Sequence, residues 1–135
     1  MARPQTLDVR ADTAELGRVR RWVGARAAEA GLDDADSRRL VLAVDETVAN
    51  AVEHGLRPGD RVSVGAEPSP GRLTVTVRYG GPRFDPTTAP ASPAADAVRR
   101  RAPHGYGLHL IRSLADDVGY RWADRTNEVR LGVGR

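Results

Sequence analysis

Two side chains with complementary chemistry, Glu46 and Asn50, stand four residues apart in the segment DETVANAVEHG at residues 45–55. On an α-helix this spacing places them one above the other on the same face. The opposite side of the predicted helix is apolar and consists of Leu40, Val44, Val48 and Ala51. A carboxylate beside an amide on a rigid helix could hold a metal ion together with a water or hydroxyl group. A solvated helix face explains the same pattern.

Two glycine pairs later in the chain favour close approach of the backbone to a ligand. Gly105 and Gly107 open a predicted amphipathic helix in HGYGLHLIRSLADDV. The free N–H groups and the positive dipole end of such a helix form an anion site. A flexible hinge into the helix gives the same pattern. Gly80 and Gly81, at the end of a predicted strand, permit either a ligand contact or a tight turn.

The elements that must position these residues follow from hydrophobic periodicity. Helical spacing of apolar residues predicts a helix over residues 13–30 and a second helix from residues 33–36 to about residue 54. Alternating apolar and polar residues predict strands at residues 5–9, 61–66, 72–79, 120–122 and 128–133. This order predicts an α+β two-layer sandwich, with helices on one face of a mixed, mainly antiparallel sheet.

Residues 86–104 show neither the helical spacing nor the strand alternation of apolar residues. They contain four prolines and end close after the triplet Arg99-Arg100-Arg101, which predicts a long loop. Loops of this length inside a compact domain are usually functional lids or disordered segments. A guanidinium of the triplet, such as that of Arg101, could reach a phosphate beside Gly105, and a solvated loop is the alternative.

Composition limits the classes of function. A chain of 135 residues predicts one domain over residues 1–135. The sequence has no cysteine, which excludes disulfides and thiolate metal sites, and no lysine, which excludes a P-loop lysine. Arginines interleaved with acids, and only 4% aromatic residues, do not favour nucleic-acid binding. The sequence lacks a signal peptide and a membrane-spanning run, so we expect a cytoplasmic protein with no membrane contact.

Three motifs in this order and spacing resemble the stand-alone anti-sigma factor serine/threonine kinases. DETVANAVEHG is similar to the N-box of that family, GGPRFDP to its first glycine box, and HGYGLHLIRSLADDV to its second. The resemblance covers roughly residues 7–133. It places the chain in the GHKL superfamily, whose ATP-binding fold occurs in GyrB-type topoisomerases, Hsp90, histidine kinases and MutL.

The resemblance implies a role for each residue that matches a motif. Asn50 would ligate Mg²⁺, and Glu46 would be the general base for a serine or threonine hydroxyl. The loop at about residues 86–104 would be the lid over ATP. The remaining residues implied in nucleotide binding are Tyr79, Gly81, Arg101, Gly105, Tyr106, Gly107 and Leu108.

The chain departs from the family pattern on the side that holds the adenine base. Family members carry an aspartate that accepts from the adenine amino group, and this sequence has Tyr79 at that position. Arg83 replaces the second glycine of the first glycine box. Thr126 and Asn127 stand where the family has Gly-Thr before the last strand. A phenol can stack on a base or hydrogen-bond to it, but it does not reproduce a carboxylate acceptor.

Two functions follow from the resemblance and these departures. The first is an anti-sigma-type kinase that binds ATP and Mg²⁺ and phosphorylates an anti-sigma antagonist protein in a partner-switching system. Its partners would be a sigma factor, the antagonist and, as is common in the family, a second copy in a homodimer. The alternative is a non-catalytic relative that docks a regulatory protein and binds ATP weakly or not at all.

Overall fold

The computed structural model describes residues 3–54, 56–85 and 107–135. The elements in chain order are β1 (Gln5–Arg10), α1 (Thr13–Glu29), α2 (Asp34–His54), β2 (Arg61–Ser69), β3 (Arg72–Gly80), α3 (Gly107–Leu114), β4 (Asp117–Ala123) and β5 (Thr126–Gly134). The predicted lid at about residues 86–104, with Arg101, and also Gly105 and Tyr106 lie outside the described residues.

The five strands form one sheet in the order β1-β2-β3-β5-β4. Each pairing within the described residues is antiparallel, which confirms the α+β prediction and leaves no parallel pair among these strands. Alternate residues of β3 turn inward, so Leu73, Val75, Val77 and Tyr79 are buried against the helices. The helices therefore cover one face of the sheet and leave the other face open.

Local sequence signals set the helix ends. The side chain of Asp12 accepts a hydrogen bond from the Glu15 N–H at 3.0 Å, which makes Asp12 the N-cap of α1. Gly31, with φ of +84°, follows the C-cap residue Ala30. The predicted ends of α1 are therefore correct to one residue.

The hairpin between β2 and β3 is tighter than the sequence predicts. Strand β2 continues through Pro68, which lies opposite Leu73, and Ser69 lies opposite Arg72. The turn is therefore reduced to Pro70 and Gly71. Pro68 is tolerated because the pairing of β2 with β1 extends only to Ala66, so the missing N–H interrupts no ladder on that side.

Candidate functional site

Helix α2 carries the predicted catalytic pair on the side away from its apolar back. Glu46 is half-buried, and Asn50 is only 3% exposed. The apolar back is buried as predicted, and it consists of Leu40, Val44, Val48 and Ala51. Burial of these four side chains fixes the rotation of α2, so the polar pair has a defined direction.

Asn50 has an unsatisfied polar atom. Among the described residues, no group forms a hydrogen bond with its buried Nδ2. Buried polar groups in native proteins are almost always paired, so this N–H donor points to an acceptor such as a phosphate or water oxygen. An amide oxygen is a hard ligand that suits Mg²⁺, which retains water molecules and takes few protein ligands.

Asn50 remains the predicted metal ligand on this face of α2. The described residues contain no cluster of three or more histidine or carboxylate groups that could chelate a metal ion by themselves.

An ion pair between the two long helices lies beside Glu46. The Arg20 Nε of α1 donates to Oδ1 of Asp45 at 2.8 Å. Because Asp45 precedes Glu46 directly, this contact ties α1 to the turn of α2 that carries the predicted base. Its contribution to stability is small at an exposed site, but it fixes the orientation of that turn.

Arg39 joins α2 to the end of α3. Its Nη1 donates to the Leu114 carbonyl at 2.9 Å and to Oδ1 of Asp116 at 3.1 Å. Its Nη2 donates to Oδ1 of Asp36 at 2.7 Å. The Arg39 guanidinium lowers the pKa of Asp116 below its ordinary value, with a further contribution from the Gly134 N–H. The two helices that would contact phosphates are thus fixed to one another.

Helix α3 begins at Gly107 and includes Leu108, so two of the predicted phosphate-side residues open a helix as expected. The helix packs against α2, and its Ile111 is buried in the core. The helix that carries Glu46 and Asn50 therefore packs against the helix that starts at Gly107.

Tyr79, the last inward-facing residue of β3, belongs to the core. It is only 4% exposed. Burial raises the pKa of the Tyr79 phenol well above its ordinary value, and the neighbouring Tyr120 and Asp85 raise it further. At neutral pH this position therefore presents a neutral phenol instead of a carboxylate.

The segment after β3, residues 81–85, is called here the base-side turn. Gly81 adopts φ of +121°, and its N–H donates to the Arg125 carbonyl at 3.0 Å. The Trp122 Nε1 donates to the Gly81 carbonyl at 3.2 Å. The Arg83 guanidinium lies 5.9 Å from the centre of the Tyr120 ring. The strand pair β4–β5 thus holds the turn from several sides.

Asn127 makes the central contacts to this turn. Its Oδ1 accepts from the Phe84 N–H at 3.0 Å, and its Nδ2 donates to the Pro82 carbonyl at 3.0 Å. The Tyr120 hydroxyl donates to the same Oδ1 and accepts from the Phe84 N–H at 3.2 Å. Asn127 is completely buried, so its amide is both desolvated and satisfied.

Sequence reasoning noted Asn127 as a departure and missed its role in holding the turn. The missed signal is its place in the alternation of β5, where Asn127 shares a face with Val129, Leu131 and Val133. A polar residue in line with an apolar strand face is a buried group that needs partners. Identifying those partners required the pairing of β4 with β5.

A family model and a curated relative both match most of this chain. The family model described as the histidine kinase-like ATPase domain matches residues 9–133. The serine/threonine-protein kinase BtrW of Bordetella bronchiseptica is 30% identical over 94 residues, which are 68% of this chain. The matched region spans 66% of BtrW, just under two thirds of its length.

A solved structure gives the same fold. A crystal structure of the RsbU and RsbW domains of a Mycobacterium tuberculosis protein aligns with a TM-score of 0.67 at 20% identity. The alignment covers 99% of this chain and 33% of the mycobacterial chain. At this identity the likeness establishes the fold, which extends over the whole chain.

Proposed function

Because the chain belongs to the histidine kinase-like ATPase domain family, we propose that it is a protein serine/threonine kinase of the anti-sigma type. The observation that carries this proposal is the polar face of α2, where Asn50 is buried one turn from Glu46 and its Nδ2 has no hydrogen-bond partner in the described part of the chain. A satisfied structural asparagine would not need a ligand at this position.

In this proposal each group of the site has one task. Glu46 takes the proton from the attacking serine or threonine hydroxyl. Asn50 would hold Mg²⁺ through its amide oxygen, and the bound ion would supply positive charge beside the phosphates. The backbone N–H groups around Gly105 and Gly107, with Tyr106 and Leu108, hold the phosphates, and Arg101 in the lid approaches the transferred group.

The proposed protein substrate is an anti-sigma antagonist, and the proposed binding partner is a sigma factor. The likeness to BtrW, which is named a serine/threonine-protein kinase, supports phosphorylation of a hydroxyl amino acid. We also propose that the protein acts in the cytoplasm as a homodimer. No described helix is long and apolar enough to cross a membrane.

Calorimetric titration of the protein with ATP, with and without Mg²⁺, tests this proposal. We expect saturable binding of one ATP that requires Mg²⁺ for full affinity. The Asn50→Ala variant should lose the contribution of Mg²⁺ and retain its fold. Absence of ATP binding by the unaltered protein at millimolar nucleotide would overturn the proposal.

Such a result would favour a second function, a non-catalytic relative that docks a regulatory protein. The specific observation behind it is on the base side. Tyr79 is buried in the core at the position where the family has an adenine-binding aspartate. Both ends of the Asn127 amide are engaged by the base-side turn and by Tyr120. The Asn127 amide and the backbone of the base-side turn thus form their hydrogen bonds within the protein.

A further inference from the structure

A cavity of about 470 Å³ lies at the end of the sheet where β2 begins and β3 ends. Its lining includes Arg57, Asp60 and Arg61 on one side and the backbone of Gly80 and Gly81 on the other. The cavity is called here the arginine hollow. Arg57, Asp60 and Arg61 have no task in the proposed kinase reaction, and Gly81 is the one residue that the hollow shares with the residues implied in nucleotide binding.

The two arginines of the hollow have no carboxylate partner in the part of the chain that the structure describes. Neither Arg57 nor Arg61 forms an ion pair with any residue that the structure describes. The carboxylate in the lining is that of Asp60, and its Oδ2 accepts the backbone N–H of Arg57 at 2.8 Å. Asp60 therefore shapes the loop before β2, and the two guanidinium groups keep their donors for another partner.

A third arginine increases the positive charge. Arg10 lies directly opposite Arg61 in the pairing of β1 with β2. Val9 and Val62 point into the core, so both arginines stand on the open face of the sheet. Like charges directly across a strand pair are unfavourable unless a counterion neutralises them. Nη1 of Arg10 donates to the Gly59 carbonyl at 3.0 Å, which keeps the guanidinium beside this loop.

Two other arginines on the open face have carboxylate partners. The Arg78 Nε donates to Oε2 of Glu128 at 3.0 Å, and Arg72 pairs with Asp117. The chain thus neutralises these two sites of the same face with its own acids. At the arginine hollow the corresponding acid is missing from the described residues.

The hollow also has room for a ligand. Gly80 stands on the open face beside the start of β2, and a Cβ placed there would meet the Arg125 carbonyl oxygen at 3.7 Å as its nearest neighbour. The floor therefore carries no side chain. A small oxyanion can approach the backbone while the two guanidinium groups surround it.

We propose that the arginine hollow is an anion-binding site that takes a phosphate or carboxylate group through Arg57 and Arg61. Planar guanidinium groups bind either oxyanion with paired N–H···O hydrogen bonds. The inference depends on these residues alone and does not require ATP to bind at α2. The anion can be a free phosphate or an acidic side chain of a protein partner.

Amide NMR titrations of the full chain at low ionic strength test the proposal with two probes, inorganic phosphate and a capped tri-glutamate peptide. We expect saturable shifts of the Gly80 and Gly81 amides with at least one probe. The Arg57→Gln/Arg61→Gln variant should bind that probe about tenfold more weakly or worse, as expected for the loss of charge-assisted hydrogen bonds. The tighter probe identifies the source of the anion.

A charge-matched control separates this site from a general effect of net charge. Arg21→Gln/Arg38→Gln removes the same charge from the exposed surface of α1 and α2, and it should bind the probes as the unaltered protein does. The Asn50→Ala variant should also retain anion binding, so failure of the kinase proposal would leave this result intact. Equal affinity of the Arg57→Gln/Arg61→Gln variant and the control, or no shift at Gly80 and Gly81, would overturn the proposal.

Discussion

Two buried asparagines on opposite sides of the candidate site differ in how their amides are satisfied. Asn127 is completely buried, and its Oδ1 and Nδ2 both have backbone partners in the base-side turn. Asn50 is 3% exposed, and its Nδ2 has no hydrogen-bond partner among the described residues. The two buried asparagines thus differ in whether the described residues supply a hydrogen-bond acceptor for Nδ2.

This difference separates a structural role from a binding role. A satisfied buried amide stabilises the segment that it holds, and its loss strands the partners. An unsatisfied buried amide lowers stability in the free protein and regains that free energy when a ligand arrives. The polar face of α2 is therefore the proposed ligand side, whereas Asn127 satisfies the base-side turn within the protein.

The largest effect should come from the predicted base on α2. Glu46→Gln should lower phosphate transfer to a hydroxyl substrate by about 10²–10⁴-fold, since a positioned general base contributes about that factor. ATP affinity should remain largely unchanged because the carboxylate acts on the acceptor. A radiolabel transfer assay measures the rate, and calorimetry measures the affinity.

Glu53→Gln is the matched control for this variant, since Glu53 is an exposed glutamate on the same helix. It should transfer phosphate at the unaltered rate. Loss of ATP affinity in Glu46→Gln would contradict the assignment of a base and make Glu46 a metal-site or structural residue.

The next effect concerns the adenine contact. Tyr79→Asp should tighten ATP binding by about tenfold or more, because a carboxylate supplies the missing acceptor for the amino group and charged hydrogen bonds contribute about 1.5–3 kcal/mol. Calorimetry measures the change, with circular dichroism to verify folding because position 79 is buried.

Tyr79→Phe removes the hydroxyl without adding an acceptor and should leave ATP affinity unchanged. Tight ATP binding by the unaltered protein, with no gain in Tyr79→Asp, would show that the phenol does not weaken the site.

The two asparagines themselves give a smaller and direct comparison. Asn127→Ala should lower the free energy of unfolding by about 1–3 kcal/mol, because it removes the acceptor of the Tyr120 hydroxyl and the donor to the Pro82 carbonyl. Asn50→Ala should lower it by clearly less, because removing a buried donor that has no partner among the described residues also removes its desolvation cost. Urea denaturation of both variants without nucleotide provides the measurement. Equal destabilisation would remove the distinction between the two sides.

The smallest effect concerns pH and the Arg39–Asp116 contact between α2 and the end of α3. The pKa of Asp116 is lower in the folded protein than its ordinary value of 3.8. Its contribution to stability is therefore complete above pH 3.8 and is lost as pH falls through the lower folded value. Thermal denaturation between about pH 3 and 7 should show a smaller decrease of the melting temperature in acid for Asp116→Asn than for the unaltered protein. Parallel curves would show that this contact does not contribute.

Much of the fold could be predicted because its signals are local. The apolar back of α2, the N-cap Asp12 and the alternation of β3 each occupy a few consecutive residues, and each confirmed an element. The extension of β2 through Pro68 escaped prediction, because a proline at that point is acceptable only where β1 no longer pairs. That condition involves a strand about sixty residues earlier in the chain.

The sequence alone determined the helix that carries Glu46 and Asn50, since residues four apart share a helix face whatever surrounds them. It also determined that position 79 holds a phenol in place of a carboxylate. Only the tertiary structure decided that, among the described residues, the Nδ2 of Asn50 has no partner whereas that of Asn127 has one. It also decided that Arg57 and Arg61 share a hollow with Gly80. Hydrogen bonding and charge neutralisation depend on neighbours distant in sequence, and the antiparallel sheet order brings those neighbours together.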